Sequence, residues 1–275
     1  MKKSLVFLDR NEFNYPPSQK VIEAFDRFDI NSLCFYTRIY DEGKKSIFSE
    51  FLSESYNINE SQIVLGYGGE DILKQAVHFF LTEDDKNKTM LIPSFSWWYY
   101  KAIADEVNGN TIQYPLYEDG NTFKYDIDTL LTIIEKENPK IVLIASPNNP
   151  TGNRLTEDEI NNLLSNIPST TIVLMDEAYA SFANNDTSYI KLLVDKYPNV
   201  IIVRTLSKFY GLPGLRMGFG FISSNMDKFT KYSNKYLGYN RISESLAIAA
   251  LQSEDYYREI AQKMHEDKMM YKSEI

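Results

Sequence analysis

Three short apolar runs, each followed by a polar cluster, restrict the fold of this chain more than any other feature. The runs span residues 141–145, 171–175 and 200–203. Their Ile, Val and Leu content is typical of strands buried on both faces of a parallel sheet. Polar side chains follow within a few residues, among them Asn149, Asp176 and Lys208. Because ligands of open parallel sheets bind at the carboxyl ends of the strands, the sequence predicts an α/β fold with a site at this edge.

Lys208 lies in a loop that is interrupted by Gly and Pro and also contains Thr205, Ser207 and Arg216. A cationic lysine is costly to bury, so a lysine in such a loop is either solvated or chemically engaged. A desolvated lysine loses its proton readily and can form a Schiff base with an aldehyde. The neighbouring hydroxyls and the guanidinium suit a phosphate. The loop is therefore either a solvated surface loop or a site for an aldehyde and a phosphate.

Taken together, the three motifs resemble the fold-type-I aminotransferases that use pyridoxal 5′-phosphate (PLP), most closely the histidinol-phosphate aminotransferase branch. Their order and spacing fit from about Leu8 to the end of the chain. The resemblance implies a three-layer α/β/α sandwich around a mostly parallel sheet. It also implies an N-terminal arm with a first helix, a large PLP-binding domain, and the start of a C-terminal small domain that is largely missing. These parts would cover residues 1–40, 41–240 and 241–275, respectively.

The resemblance also assigns the cofactor contacts. Lys208 would hold PLP as a Schiff base and act as general base, and Asp176 would pair with the pyridine nitrogen. Asn149 and Tyr179 would hydrogen-bond the phenolic oxygen, and Phe95 would stack on the ring. A glycine turn at the start of a helix offers backbone N–H groups to a phosphate. The residues assigned to the phosphate are Gly68, Gly69, Glu70, Thr205, Ser207 and Arg216.

Three further aromatic residues each have two interpretations. Tyr15 lies in a proline-stopped arm, which is either an ordinary extension or, by the resemblance, a cover over the site with Tyr15 as a substrate contact. Trp98 either lines the substrate pocket, together with Asn149, or lies on a helix face. By the resemblance, Tyr40 reaches the cofactor phosphate of a neighbouring subunit, which implies a homodimer. The chain has 20 tyrosines, so a purely structural Tyr40 is the other interpretation.

Composition excludes several classes of function. A formal net charge of −9 argues against nucleic-acid binding, which usually needs a basic surface. With only two histidines and one cysteine, we expect neither a metal centre nor an internal disulfide, and we expect Cys34 to be a small buried residue. The chain has no signal-like segment and no apolar run long enough to cross a bilayer. We therefore expect a cytoplasmic protein without a membrane partner.

Hydrophobic periodicity and turn residues predict the remaining elements. Residues 17–28 and 46–56 have the pattern of helices, and 111–116 the pattern of one strand. The glycine-containing run 218–222 is predicted to be a strand, and in the resembled fold it is antiparallel to its neighbours.

The predicted reaction is amino transfer between a 2-oxo acid and an amino acid or amino-alcohol phosphate resembling histidinol phosphate. Two alternatives stay open at this stage: a decarboxylase of a phosphorylated amino acid, as in the threonine-phosphate decarboxylases, and a non-catalytic PLP-binding protein. In the resembled family a C-terminal arginine grips the substrate. The sequence stops in the long helix that would lead into that part, either because it is a fragment or because it is a natural short form, so it does not identify the amino donor.

Overall fold

A computed structural model describes residues 9–83, 86–183 and 186–274. Its strands are β1 (Ile63–Gly66), β2 (Thr89–Pro93), β3 (Asn110–Tyr114), β4 (Leu116–Asp119), β5 (Thr122–Tyr125), β6 (Ile141–Ala145), β7 (Ile172–Asp176), β8 (Val200–Thr205) and β9 (Gly218–Ile222). Its helices are α1 (Gln19–Asp26), α2 (Ile47–Tyr56), α3 (Gly69–Glu83), α4 (Tyr99–Asp105), α5 (Ile127–Glu137), α6 (Glu157–Asn166), α7 (Ala180–Ala183), α8 (Ser188–Lys196), α9 (Asp227–Ser233), α10 (Arg241–Leu251) and α11 (Glu254–Glu274).

Seven of these strands form one sheet in the order β1-β9-β8-β7-β6-β2-β3. Strands β3, β2, β6, β7 and β8 pair in parallel, whereas β9 is antiparallel to both β8 and β1. The predictions of a mostly parallel sheet and of an antiparallel strand at 218–222 are therefore confirmed. Because β1 and β8 are both antiparallel to β9, they run in the same direction.

Alternate side chains of the central strands β2, β6, β7 and β8 enter two separate hydrophobic cores. On β7, Leu174 packs into the core under α3, α4 and α9, while Val173 and Met175 pack into the core under α2, α5, α6, α8 and α10. This alternation follows from the two-residue period of a strand. Helices therefore cover both faces of the sheet, and the predicted three-layer α/β/α sandwich is confirmed.

Side-chain caps determine where several helices begin. The hydroxyl of Ser46 accepts from backbone N–H groups at the start of α2, and Asp126 does the same for α5. Thr156 and Glu159 form a reciprocal capping box at the start of α6. The helices predicted at residues 17–28 and 46–56 correspond to α1 and α2, whose ends lie within two residues of the predicted bounds.

Two predictions about individual segments are wrong. Residues 111–116 do not form one strand, because β3 ends at Tyr114 and β4 pairs with β5 in a separate antiparallel hairpin. Pro115 separates the two strands and has no N–H to donate to a ladder. Cys34 is exposed rather than buried, at the end of a short 3-10 turn.

No helix within the described ranges is long and apolar enough to cross a membrane.

Candidate active site

The register of the sheet brings the polar clusters to one edge. The carboxyl ends of β1, β6, β7 and β8 and the first residue of β9 lie side by side there. The paired residues are Ala145 with Asp176, Asp176 with Val203, Thr205 with Gly218, and Gly218 with Gly66. The turn before α3 and the loops after β6, β7 and β8 therefore surround one site.

The turn before α3 and the loop after β8 form a cradle of small residues and donors. Gly68 has a φ of +93°, in the left-handed region that favours glycine. A Cβ on Gly218 would overlap the backbone of Gly68 and Gly69, so this close approach requires glycine. Thr205 donates its hydroxyl to Ser207 Oγ at 3.0 Å beside the first turn of α3. The N–H groups and hydroxyls of this cradle suit an anion.

Arg216 borders the cradle. Its Nη2 donates to the carbonyl of Tyr67 at 3.0 Å and to Glu70 Oε1 at 2.9 Å. The guanidinium carries five N–H donors, so these contacts leave others for a bound anion. Glu70 was predicted as a backbone donor, and its side chain has a further role as the ion-pair partner of Arg216.

Asp176 is buried at the end of β7, with 7% of its surface exposed. Its Oδ2 accepts from the hydroxyl of Tyr100 at 2.7 Å, and its Oδ1 accepts from the backbone N–H of Ala178 at 2.9 Å. Burial raises the pKa of the Asp176 carboxyl above its ordinary value, while these two hydrogen bonds act in the opposite direction. A carboxylate held in this way can pair with a buried cationic nitrogen.

Lys208 and Tyr179 lie beneath the N-terminal arm. Lys208 Nζ donates to the carbonyl of Arg10 at 2.8 Å and lies 5.8 Å from the centroid of the Tyr179 ring. Asn11 Nδ2 donates to Tyr179 Oη at 2.9 Å. Partial burial lowers the pKa of the Lys208 amine. This favours the neutral amine, which is the nucleophilic and basic form.

The loop after β2 meets the turn after β6. Asn148 Nδ2 donates to the carbonyl of Phe95 at 2.9 Å, and Asn148 Oδ1 is buried without a hydrogen-bond partner among the described residues. The next residue, Asn149, is half-buried. Phe95 has a positive φ of 47° and is 62% exposed. Trp98, at the start of α4, is 72% exposed. Both aromatic side chains are therefore accessible to a ligand.

Two predicted site residues have their closest ring contacts elsewhere. Tyr15 packs 5.5 Å from the ring of Phe13, and Tyr40 packs 5.3 Å from the ring of Tyr236. The Tyr40 hydroxyl is buried without a partner in the described part of the chain. No hydrogen bond or ring contact among the described residues joins either tyrosine to Lys208, so their roles in the site stay predictions.

Several residues that contact the site or lie directly beside it were not predicted from the sequence. Tyr100 and Asn11 hydrogen-bond to predicted site residues. Arg204 donates to Glu177 at 2.9 Å and to Tyr189 at 2.9 Å, and Tyr189 donates to Glu177 at 2.7 Å. This buried cluster lies on the sheet face opposite Asp176, because neighbouring strand residues point to opposite faces. Two sequence signals could have revealed some of these residues: the aromatic run at 97–100, which contains Tyr100, and the acidic pair at 176–177, which contains Glu177.

The donor set matches the groups that PLP presents. The cradle with Arg216 suits its phosphate, the Lys208 amine suits its aldehyde, and the Asp176 carboxylate suits its ring nitrogen. Tyr179 can donate to the phenolic oxygen, and Phe95 offers a flat apolar surface. The α/β/α fold and this site together define a PLP-dependent enzyme.

Comparison with known proteins identifies the family. Residues 3–275 match the family described as aminotransferase class I and II. "Histidinol-phosphate aminotransferase 1" of Mannheimia succiniciproducens is 31% identical over 264 residues, which are 96% of this chain and 68% of that relative. The chain belongs to the class I and II aminotransferase family, and it is a PLP-dependent aminotransferase. Of the functions considered above, the family supports amino transfer.

Two solved structures show the same fold. The histidinol-phosphate aminotransferase of Sinorhizobium meliloti, in complex with PLP, has a TM-score of 0.80 at 24% identity, with 94% of this chain and 67% of that chain covered. The L-threonine-O-3-phosphate decarboxylase of Porphyromonas gingivalis has a TM-score of 0.67 at 19% identity, with 85% and 66% covered. At these identities the likeness concerns the fold alone.

Proposed function

We propose that the residues at this edge of the sheet hold PLP and carry out amino transfer. The backbone of Gly68 and Gly69 and the first turn of α3 would bind the phosphate. The side chains that would complete the phosphate site are Thr205, Ser207 and Arg216. Asp176 would pair with the ring nitrogen, and Asn149 and Tyr179 would hydrogen-bond the phenolic oxygen. When bound, PLP supplies the electron sink that makes the α-carbon proton of an amine substrate acidic.

In this proposal Lys208 is the general base. Its Nζ would remove the proton from the substrate α-carbon and deliver it to the C4′ carbon of the cofactor. Burial lowers the pKa of Lys208 and so increases the fraction of free amine near neutral pH. The N-terminal arm above Lys208 would exclude water and, through Tyr15, contact the substrate. Trp98 would contribute a wall of the same pocket.

One observation supports this assignment more than any other. Asp176 is the neighbour of Val203 in the ladder of β7 and β8, and the loop carrying Lys208 begins at the end of β8. A buried carboxylate and a partly buried lysine therefore come from adjacent parallel strands, at the edge where such sheets bind ligands. The two groups act on opposite ends of a pyridine aldehyde.

We propose that the amino donor is a phosphorylated amine of the histidinol-phosphate type and that the acceptor is a 2-oxo acid. The support comes from relatives such as the one from Mannheimia succiniciproducens, whose name specifies histidinol phosphate. A cytoplasmic location would suit such a biosynthetic reaction.

Absorption spectroscopy tests the assignment. Purified protein is titrated with PLP, and then L-glutamate or histidinol phosphate is added. We expect a yellow absorption band that is absent in Lys208→Ala and is bleached by a productive donor. A band of equal intensity in Lys208→Ala would refute the role of the lysine. Release of carbon dioxide without consumption of a 2-oxo acid would refute amino transfer.

We also propose a homodimer in which Tyr40 contributes to the partner's site. Ile30, Phe35, Tyr36, Tyr236 and Leu237 are each more than 60% exposed. Exposed apolar side chains on neighbouring segments are typical of an interface. Tyr40 packs on one of them, Tyr236.

Subunit mixing tests this arrangement. A Tyr40→Ala variant and a Lys208→Ala variant are each expected to have little activity. Mixing them should produce hybrid dimers in which one site has both residues, so activity returns. Activity that stays at the level of the two separate variants would exclude a role of Tyr40 across an interface.

A further inference from the structure

The contact between Tyr100 and Asp176 has no role in the function proposed above. The Tyr100 hydroxyl donates to Asp176 Oδ2 at 2.7 Å, and the two side chains are 2% and 7% exposed. The other carboxylate oxygen, Oδ1, accepts from the Ala178 N–H at 2.9 Å. Each oxygen of the carboxylate is therefore fixed by one protein donor and keeps further acceptor capacity.

The fold holds Tyr100 rigidly in this position. Tyr100, Ile103 and Ala104 form the buried face of α4, which packs on β2 and β3. The Tyr100 ring also meets the ring of Trp97 edge-on, with centroids 5.7 Å apart. Asp176 points to the same face of the sheet as Leu174, which is the face that α4 covers. The helix thus delivers a phenol to the carboxylate from the side of the core.

We propose that Tyr100 is a positioning residue for the ring nitrogen of PLP, because its hydroxyl fixes the orientation and the negative charge of the Asp176 carboxylate. The inference rests on the proposed pairing of Asp176 with that nitrogen. Tyr100 acts through Asp176 and does not need to touch the cofactor.

The electrostatics of the site explain why such a donor is needed. Burial raises the pKa of Asp176, whereas the hydrogen bonds from Tyr100 and Ala178 stabilise the ionised form. The other groups that act on Asp176 are Glu177 at the end of its own strand, Lys208 from the loop after β8, Tyr125 from β5, and Tyr179 from the loop after β7. A protonated Asp176 could not balance a cationic ring nitrogen. Removal of the Tyr100 hydroxyl therefore favours the form of Asp176 that cannot do so.

The test compares two ligands: PLP, and a PLP analogue in which the ring nitrogen is replaced by C–H. Dissociation constants are measured between pH 5 and 9 for the wild type, Tyr100→Phe and Asp176→Ala. Tyr114→Phe is the matched control, because its buried hydroxyl donates to the Leu143 carbonyl at 2.9 Å and not to Asp176. Thermal melting establishes that each variant is folded.

We expect Tyr100→Phe to weaken PLP binding about tenfold near neutral pH, since a hydrogen bond to a charged group is lost. The acidic midpoint of PLP binding should move up by about one pH unit. Tyr100→Phe should bind the analogue as the wild type does. Tyr114→Phe should leave the ratio of the two dissociation constants unchanged.

Two results would overturn the inference: Tyr100→Phe weakening both ligands equally, or leaving PLP binding unaltered while Asp176→Ala selectively weakens it. If Asp176→Ala binds both ligands as the wild type does, the proposed role of Asp176 fails, and the inference fails with it. The experiment therefore separates an error about Tyr100 from an error about the site.

Discussion

Removing one member of the buried Arg204–Glu177 ion pair should destabilise the protein far more than removing both. The Arg204 and Glu177 side chains are 6% and 2% exposed, and Nη2 lies 2.9 Å from Oε2. Tyr189 completes the cluster by accepting from Arg204 and donating to Glu177. The perturbations are Arg204→Met and Glu177→Leu, separately and together.

The magnitudes follow from desolvation. Each single variant leaves one charge buried without its partner and should lower the free energy of unfolding by about 3–5 kcal/mol. The double variant leaves no buried charge, but the hydroxyls of Tyr189 and Tyr56 lose their charged partners, and it should lose about 1–3 kcal/mol. Adding Tyr189→Phe should recover part of that loss. Additive behaviour would instead give a loss of about 6–10 kcal/mol in the double variant.

Urea unfolding followed by tryptophan fluorescence measures these differences, because Trp97 and Trp98 lie in the same layered domain. The control is Lys191→Met, which removes an exposed ion pair with Asp195 on the same helix as Tyr189 and should cost about 0.5 kcal/mol or less. A double variant as unstable as the sum of the two singles would refute the argument. Single variants with the same free energy of unfolding as the control would also refute it.

Three further predictions concern the glycine cradle, a partly buried lysine and the arm. Gly218→Ala forces a Cβ into the backbone of Gly68 and should cost about 3 kcal/mol and weaken PLP binding, measured by urea unfolding and PLP titration. Burial lowers the pKa of Lys45 to about 8, so between pH 8 and 10 the unfolded chain keeps a proton that the folded one has released. Stability should therefore rise with pH by about 1 kcal/mol per unit, and Lys45→Met should abolish this rise in urea unfolding. Asn11→Ala removes the donor to Tyr179 and should speed tryptic cleavage after Arg10 about fivefold, followed by mass spectrometry.

Each of these predictions has a control in the same segment. Gly214→Ala adds a Cβ that meets nothing within 4 Å, so an equal loss of stability in it and in Gly218→Ala would contradict the steric argument. Lys44→Met changes the adjacent lysine, whose pKa is raised by Glu50, and should keep the rise in stability. Asn14→Ala alters the other asparagine of the arm and should leave cleavage unchanged. Equal cleavage of the two arm variants would exclude a specific latch at Tyr179.

Local sequence patterns predicted much of the fold because strands buried on both faces are nearly uniform apolar runs. Since parallel strands share one direction, the order of the motifs was enough to predict that Asp176 and the Lys208 loop lie at one edge of the sheet. The error at 111–116 arose because Tyr114 and Leu116 are apolar enough to continue a strand, while Pro115 ends the ladder. The division into an arm, a large domain and the start of a small domain stays a prediction.

Contacts between distant segments could not be predicted in the same way. Tyr100 lies in an aromatic run, and only the packing of α4 against the sheet selects this tyrosine as the donor to Asp176. Glu177 follows Asp176 directly, and alternation along the strand sends its carboxylate to the opposite face, where it contacts Arg204 and Tyr189. These partners are separated by many residues, so pairing them requires the tertiary structure.

The position of β9 has a consequence for the order in which the protein becomes competent. Among the described strands, β1 pairs only with β9, so the turn carrying Gly68 and Gly69 joins the sheet through a strand synthesised much later. Until residue 222 has left the ribosome, no strand joins β1 to β8, and only the packing of α3 on β6, β7 and β8 brings the glycine turn near the lysine loop. During translation the glycine turn is present long before the lysine loop, which immediately precedes β9. We therefore expect cofactor capture to be a late event in biosynthesis, and a nascent chain that ends before β9 should not retain PLP.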